Sequence, residues 1–426
     1  MCDTVGEFPS PEKSGYKDVA DNWEPARSRI GTAIEGRSPT ARDPIRADRR
    51  EVGMSRLCAL PCAALLLFAG AAALVASTPA SFAQSAASGP TNIKATELEP
   101  PPDPSLAFNR MADAMGLFEK YGLKLELGPA LGGGGPARVQ AVVTNNTDVA
   151  TSDIISVLGG IYSGAKIKIL MVMTPYGDEE AWATNQYKTL KDAVGQTWGV
   201  ASLGGAQRFN AQMTAEGMGF KADSFQWVPV SGADGARLQA LDTGRTALTS
   251  LSHLGAVTAE AKGFTKQVHV VVLHSSQHTP PIPRLVVVAQ ASWLKDHEDV
   301  ATRYVEMMLD ANRQWQNNAD AWIDAAAKIY KDSGLTDEQF HKAWELFQSG
   351  GYFSVNGGIN FAATQKIMDL FFKLRNESPS ESLSKPSDVY DTGPLKAALD
   401  KMGVVKGAPG LPDVPDWYGP KADAAK

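Results

Sequence analysis

Cysteine is scarce in this 426-residue chain, and all three (Cys2, Cys58 and Cys62) precede Ala83. A disulfide framework is therefore excluded for everything downstream, and the hydrophobic core alone must hold that part together, which a chain of this length can do. After an apolar run at Leu57 to Ala76, no second segment reaches the roughly 20 apolar residues of a membrane-spanning helix, so a multi-span protein is excluded. Basic excess is lacking too. Ten Lys+Arg and ten Asp+Glu precede Gln84, leaving 31 basic and 37 acidic residues beyond it, a net charge of −6 with no basic stripe to track nucleic acid. Motifs for cofactor or metal chemistry are missing as well. The run Gly132 to Gly135 lacks the Lys-Ser/Thr of a phosphate loop and reads instead as a flexible linker or the rim of a cleft. His269 precedes His274 by more than one helical turn, and His274 and His278, four residues apart, enclose Ser-Ser-Gln with neither the Glu of His-Glu-x-x-His nor a Cys pair beside them. Ser292-x-x-Lys295 lacks the companion motifs of penicillin-recognising enzymes. We expect no cofactor and no metal.

What is present first is an export signal lying inside the numbering. Met54-Ser-Arg56 supplies a positive start, Leu57 to Ala76 an apolar stretch, and Ser81 and Ala83 the small residues of a cleavage site. Cleavage after Ala83 and a periplasmic product are expected. The competing reading is an uncleaved anchor, which Pro61, Gly70 and the small-residue exit disfavour. Cys62 follows Ala59-Leu60-Pro61, a poor lipid-attachment signal. Residues 1 to 53 are polar and lack a periodic apolar face, so they read as an upstream extension, disordered or untranslated, with Met54 as the start.

Beyond residue 83, short β-type runs alternate with helical patterns. Strands are expected at Asn92–Glu97, Lys124–Leu127, Asp148–Ser152 and Ile167–Met173, with helices at Ser105–Lys120, Pro136–Thr144 and Ile154–Ser163. A second series places strands at Thr197–Ala201, Phe225–Val230, Thr246–Leu251 and Val268–Leu273, and helices at Ala206–Met218, Gly235–Leu241 and Leu254–Lys262. One more strand, Leu285–Ala289, precedes a long helix whose apolar face runs from Val300 to Trp322, and the stretch after Asn376 reads as loop. The order implies an α/β chain of two lobes, each a mostly parallel sheet flanked by helices. Lobe 1 is assembled from 84–178 and 281–426 and lobe 2 from 179–280, so two crossovers, near Thr174 to Asp178 and Thr279 to Arg284, form a hinge. Ligands bind such chains in the cleft at the carboxyl ends of the strands.

Several segments carry a resemblance. Gly116 to Leu127 (GLFEKYGLKLEL), the glycines 132–135 before a helix, Asp148 to Asp153 (DVATSD), Leu190 to Val200 (LKDAVGQTWGV) and Val287 to His297 (VVAQASWLKDH) are, in that order and spacing, similar to the nitrate/sulfonate/taurine family of ABC-transporter periplasmic binding proteins. The resemblance covers roughly residues 91 to 330. It implies the type II periplasmic-binding-protein fold and a monomer that hands a small organic solute (a sulfonate, taurine or a related aromatic or heterocyclic compound) to an inner-membrane permease with a cytoplasmic ATPase. Pyrimidine-synthesising enzymes of thiamine biosynthesis resemble the same proteins, but they carry a cysteine-rich motif that this exported chain lacks. An enzyme of that type, and a ligand-sensing module of a membrane receptor, are the alternatives.

The cleft candidates follow from these positions. Gly204, Gly205, Ala206, Gln207 and Arg208 run from a strand into a helix, where glycine backbone and free N–H groups can meet a ligand; an ordinary strand-to-helix turn is the plain alternative. Thr151 and Ser152 follow the third strand, and Asp153 beside them is expected to cap the next helix. Ser252 and His253 end the corresponding strand of lobe 2. Ser105 and Phe108 open the first helix, with a core role the alternative for Phe108, and Tyr176 lies at the hinge. Arg208 and Arg237 are the candidate cations for an acidic ligand.

Overall fold

The computed structural model describes residues 89–96, 107–128, 134–175, 180–269, 283–330, 335–407 and 415–418. The expected export signal at 54–83 and the extension at 1–53 lie outside them, as do Ser105, Tyr176, His274 and His278. No helix among the described residues is long and apolar enough to cross a membrane.

The first sheet is built from β1 (Thr91–Thr96), β2 (Leu123–Leu127), β3 (Val149–Asp153) and β4 (Ile167–Thr174). Between them lie helices α1 (Phe108–Ala114), α2 (Leu117–Lys120), α3 (Gly134–Val143) and α4 (Ile154–Tyr162). The second sheet opens with β5 (Glu180–Ala183) and continues through β6 (Thr197–Val200), α5 (Ala206–Gly217), β7 (Gln226–Pro229), α6 (Asp234–Asp242), β8 (Leu248–Leu251), α7 (His253–Ala261) and β9 (Thr265–His269). The chain then returns to the first sheet with β10 (Leu285–Gln290) and ends in helices α8 (Ala291–Asp296), α9 (Glu298–Asn317), α10 (Ala319–Ile329), α11 (Asp337–Ser349), α12 (Phe361–Arg375) and α13 (Gly393–Met402).

The strand orders are β2-β1-β3-β10-β4 and β7-β6-β8-β5-β9. Each sheet is parallel apart from the strand that enters it from the other side: β10 runs antiparallel to β3 and β4, and β5 antiparallel to β8 and β9. That is the signature of a chain crossing between two lobes twice. The crossovers lie side by side, since the Arg284 amide donates to the Thr174 carbonyl at 3.0 Å and the Leu285 amide to Thr174 Oγ1 at 3.0 Å.

Burial follows from the strand pattern. Strands β3, β4 and β10 are covered on both faces, and their Val, Ile, Leu and Met side chains are almost wholly buried, as sheets flanked by helices require. The C-terminal helices complete this core with Tyr304, Trp315, Phe347 and Phe371, and Phe353 joins it from the segment between α11 and α12. In the second sheet β5 shows the period of two: Ala181 and Ala183 face the cluster of Trp198, Ala211 and Phe225, and Trp182 faces that of Leu238, Leu241 and Ala256.

Four sequence expectations are corrected. The helix expected over Ser105–Lys120 is two helices, because Gly116 takes φ +73° and turns the chain. The long apolar helix face through Trp322 breaks at Asn318, whose side chain accepts from the Ala321 amide and starts α10. The last strand of the second sheet is Thr265–His269, and residues 270–273 of the expected Val268–Leu273 strand lie outside the described residues. The stretch after Asn376 contains α13, which packs along α9 with Leu395 and Leu399 buried. The four-residue β5 has no counterpart among the expected strands.

Candidate functional site

Two strand-to-helix turns, one from each sheet, meet where the lobes touch. In lobe 1, β3 ends at Asp153, which caps α4: Oδ1 accepts from the Ser156 amide at 2.8 Å and Oδ2 from Ser156 Oγ at 2.7 Å. The start of α3 packs onto this cap. Ser152 Oγ donates to the Gly135 carbonyl at 3.1 Å, and a methyl group built on Gly135 would lie 2.8 Å from Asp153 Cγ. Only glycine allows the backbone so near the carboxylate.

From lobe 2 comes the turn after β6. A methyl group on Gly205 would lie 2.6 Å from Ser202 Oγ and 3.8 Å from Asp153 Oδ2, and one on Gly134 would lie 3.5 Å from Ser202 Oγ. The amino-terminal ends of α3 and α5 thus converge with Asp153 and Ser202 between them. The helices beside this point also touch, α4 against α5, and Ala206 and Phe209 of α5 join the hydrophobic core of lobe 1.

The predicted site residues fall into three groups. Thr151, Gly204, Gly205 and Ala206 stand at or beside the seam. Thr151 is buried, and its Oγ1 has no hydrogen-bond partner among the described residues. Gly204 is exposed and Gly205 buried. A second group is occupied by the fold. Gln207 Oε1 accepts from the Ala201 amide at 2.7 Å, tying the turn shut. Ser152 holds α3, and Asp153 is the expected cap. Ser252 caps α7 and donates from both its amide and its hydroxyl to Asp234 Oδ2. Phe108 is 2% exposed and packs against Trp315 with ring centroids 6.1 Å apart, which makes it a core residue. The third group holds the two candidate cations and His253. Arg208 lies over the Trp227 ring at 5.5 Å. Arg237 is buried, ion-paired with Asp234, and donates to the carbonyls of Ser250 and Gly232, so it is spent on the fold. His253 is the first residue of α7.

Sequence reasoning missed Ser202 as a member of the seam, whereas the glycine run 132–135 reads as a flexible linker or the cleft rim. The glycine run was visible, but nothing in it tells that its last two residues face a serine on the other lobe. No group of metal-ligating side chains occurs among the described residues.

A two-lobe α/β chain with two antiparallel crossover strands and its loops meeting at the seam has the architecture of periplasmic binding proteins. Residues 103–320, just over half of the chain, match the model of the NMT1/THI5-like family, and the chain belongs to that family. Among solved structures it is similar to a Bordetella bronchiseptica protein (17% identity, 73% of this chain and 98% of that one, TM-score 0.60). It is also similar to the ligand-binding component of an ABC-type import system from Staphylococcus aureus, solved with zinc bound (15% identity, 72% and 99%, TM-score 0.56). A third is the alkanesulfonate-binding protein SsuA from Xanthomonas axonopodis pv. citri bound to MOPS (12% identity, 71% and 99%, TM-score 0.54). No curated protein sequence matches the chain.

Proposed function

We propose that this protein is the extracytoplasmic solute-binding component of an ABC importer, a receptor without catalytic activity that closes on a small organic solute and presents it to an inner-membrane permease with a cytoplasmic ATPase. The observation that carries this reading is the seam: helix starts from two lobes, joined by paired crossover strands, converge on one small polar space. Ligands of open α/β sheets bind at such carboxyl-end crevices. Closure needs no chemistry, only a solute that binds the shut form more tightly than the open one. Glycine backbone, the Ser202 hydroxyl and a helix-capping carboxylate are gathered there, and these groups suit reversible binding. Export by cleavage after Ala83 and a monomeric product belong to the same reading.

Native mass spectrometry of protein expressed from Met54 and recovered from a bacterial periplasm tests it. The expected result is a mass beginning at Gln84 and a discrete small molecule that is lost on denaturation. Uncleaved, membrane-retained product would replace the soluble receptor with an anchored one. Turnover of a bound heterocycle would replace it with an enzyme.

A further inference from the structure

Among the described residues four carboxylates are almost fully buried: Asp153, Glu180, Asp234 and Glu306. Three have a cation. Glu180 pairs with Lys266 at 2.7 Å, Asp234 with Arg237, and Glu306 with Lys401 at 2.7 Å. Asp153 has none; among the described residues its two hydrogen-bond donors both belong to Ser156. Taking a carboxylate out of water is costly unless it is paired and hydrogen-bonded. A carboxylate offers about four acceptor sites, and Ser156 fills two. The unfilled capacity sits at the seam, with Oδ2 facing the Gly205 turn of the other lobe.

We propose that the solute supplies what Asp153 lacks, so that the seam selects a small solute bearing a protonated amine, an amidine or another N–H donor. A solute whose polar head is solely an anion, such as a simple alkanesulfonate, is turned away. This rests on the receptor reading above and narrows its substrate class. The fold makes the same point from the opposite direction. The amino-terminal ends of two helices would favour an anion between them, but the protein has placed its own carboxylate there. A second anion at that point meets like charge at low dielectric. Arg208 lies over Trp227 and Arg237 is bonded within lobe 2. Thr151 Oγ1, two residues before Asp153 and without a hydrogen-bond partner among the described residues, can accept or donate a further bond.

The experiment is calorimetric titration and thermal shift on the purified protein with pairs of solutes matched in skeleton: taurine against ethanesulfonate, benzamidine against benzoate, and butylamine against butanesulfonate. The donor-bearing member of a pair is expected to bind about tenfold to a hundredfold more tightly, the range of a charge-assisted hydrogen bond. Asp153→Asn, which keeps an oxygen to cap α4, is expected to erase that preference. Tighter binding of the anionic members overturns the inference and leaves the receptor reading intact. So does a donor preference that survives Asp153→Asn. Binding of neither set overturns both. Should the variant fail to fold, the wild-type pairs decide the question.

Discussion

At Gly135 a single hydrogen atom separates two arrangements of the seam. A methyl group there would push into Asp153 and Ser156, side chains locked by their mutual cap, with neither free to swing away. Overpacking a site of this kind costs about 1–3 kcal/mol, and losing the Asp153 cap would add roughly 1 kcal/mol. Gly135→Ala should therefore lower urea stability by about 2 kcal/mol or more. Gly205→Ala meets mainly the Ser202 hydroxyl, the end of a side chain that can rotate away, and should cost about 1 kcal/mol or less, the low end of overpacking. Equal losses in the two variants would show that the Asp153 cap is not rigid. Phe108 offers a second test at this scale. Its ring is packed against Trp315 in the core, so Phe108→Ala should destabilise by about 3–5 kcal/mol without changing solute affinity in the fraction that stays folded. A selective loss of affinity would return Phe108 to the cleft.

Between elements, the join of α2 to α9 shows how polar contacts lock the C-terminal helices onto lobe 1. Lys120 Nζ reaches Asp310 Oδ2 at 2.6 Å, and the Tyr121 hydroxyl donates to the same oxygen at 3.1 Å. Burial pushes the Asp310 carboxyl up, but hydrogen bonds from Lys120, Gln314 and Tyr121 outweigh it and hold the group below its ordinary range. Burial, with the charge of Asp310 beside it, pushes the Tyr121 hydroxyl up. A depressed carboxyl contributes stability above its unfolded pKa, near 3.9, and loses it as pH falls through the folded value. Asp310→Asn should thus cost about 2 kcal/mol at neutral pH, and the gap between variant and wild type should shrink in urea titrations below about pH 4. A gap independent of pH would remove the charge from the account. None of this join was legible in the sequence, because partners 190 residues apart leave no local mark. What was legible is local: the alternation of strands and helices, the Asp153 cap and the two-lobe order, all set by periodicity and turn chemistry. The break at Asn318 was missed because the apolar face continues in phase across it, from Trp315 to Trp322. The four residues of β5 alternate between the two faces, but Glu-Ala-Trp-Ala is too short and too low in β-branched residues to stand out as a strand in the sequence. At the seam, the Gly205 turn is visible in the sequence as a glycine pair after a strand, whereas Ser202 gains its place only through its approach to Gly134 of the other lobe.

Among the described residues the lobes also meet at an apolar and at a charged contact, and the physics of the two differ. One is apolar, where Ala206 and Phe209 of α5 enter the core of lobe 1; burying one such ring is worth about 1.5–3 kcal/mol. The other lies where α7 of lobe 2 meets α11, and there Lys342 Nζ pairs with Glu260 Oε2 at 2.6 Å. Both side chains are more than half exposed (51% and 61%), so this pair is weak alone and screened by salt. A few kcal/mol commonly separates two conformations of one protein, so a weak pair between lobes can still shift the balance without changing fold stability. The hydrogen bond and charge of Lys342 hold Glu260 below its ordinary range. Its contribution to this contact between the lobes is therefore present above the ordinary carboxylate pKa and fades as pH falls through the depressed value. Lys342→Glu replaces attraction with repulsion. Small-angle scattering of the solute-free variant should give a larger radius of gyration than wild type, and Lys342→Glu with Glu260→Lys should restore it. Urea stability should move by no more than about 0.5 kcal/mol, as for other surface substitutions. High salt should carry wild type part of the way toward the single variant. If the single variant scatters like wild type, the apolar seam governs closure, and Phe209→Ala becomes the substitution that opens the lobes.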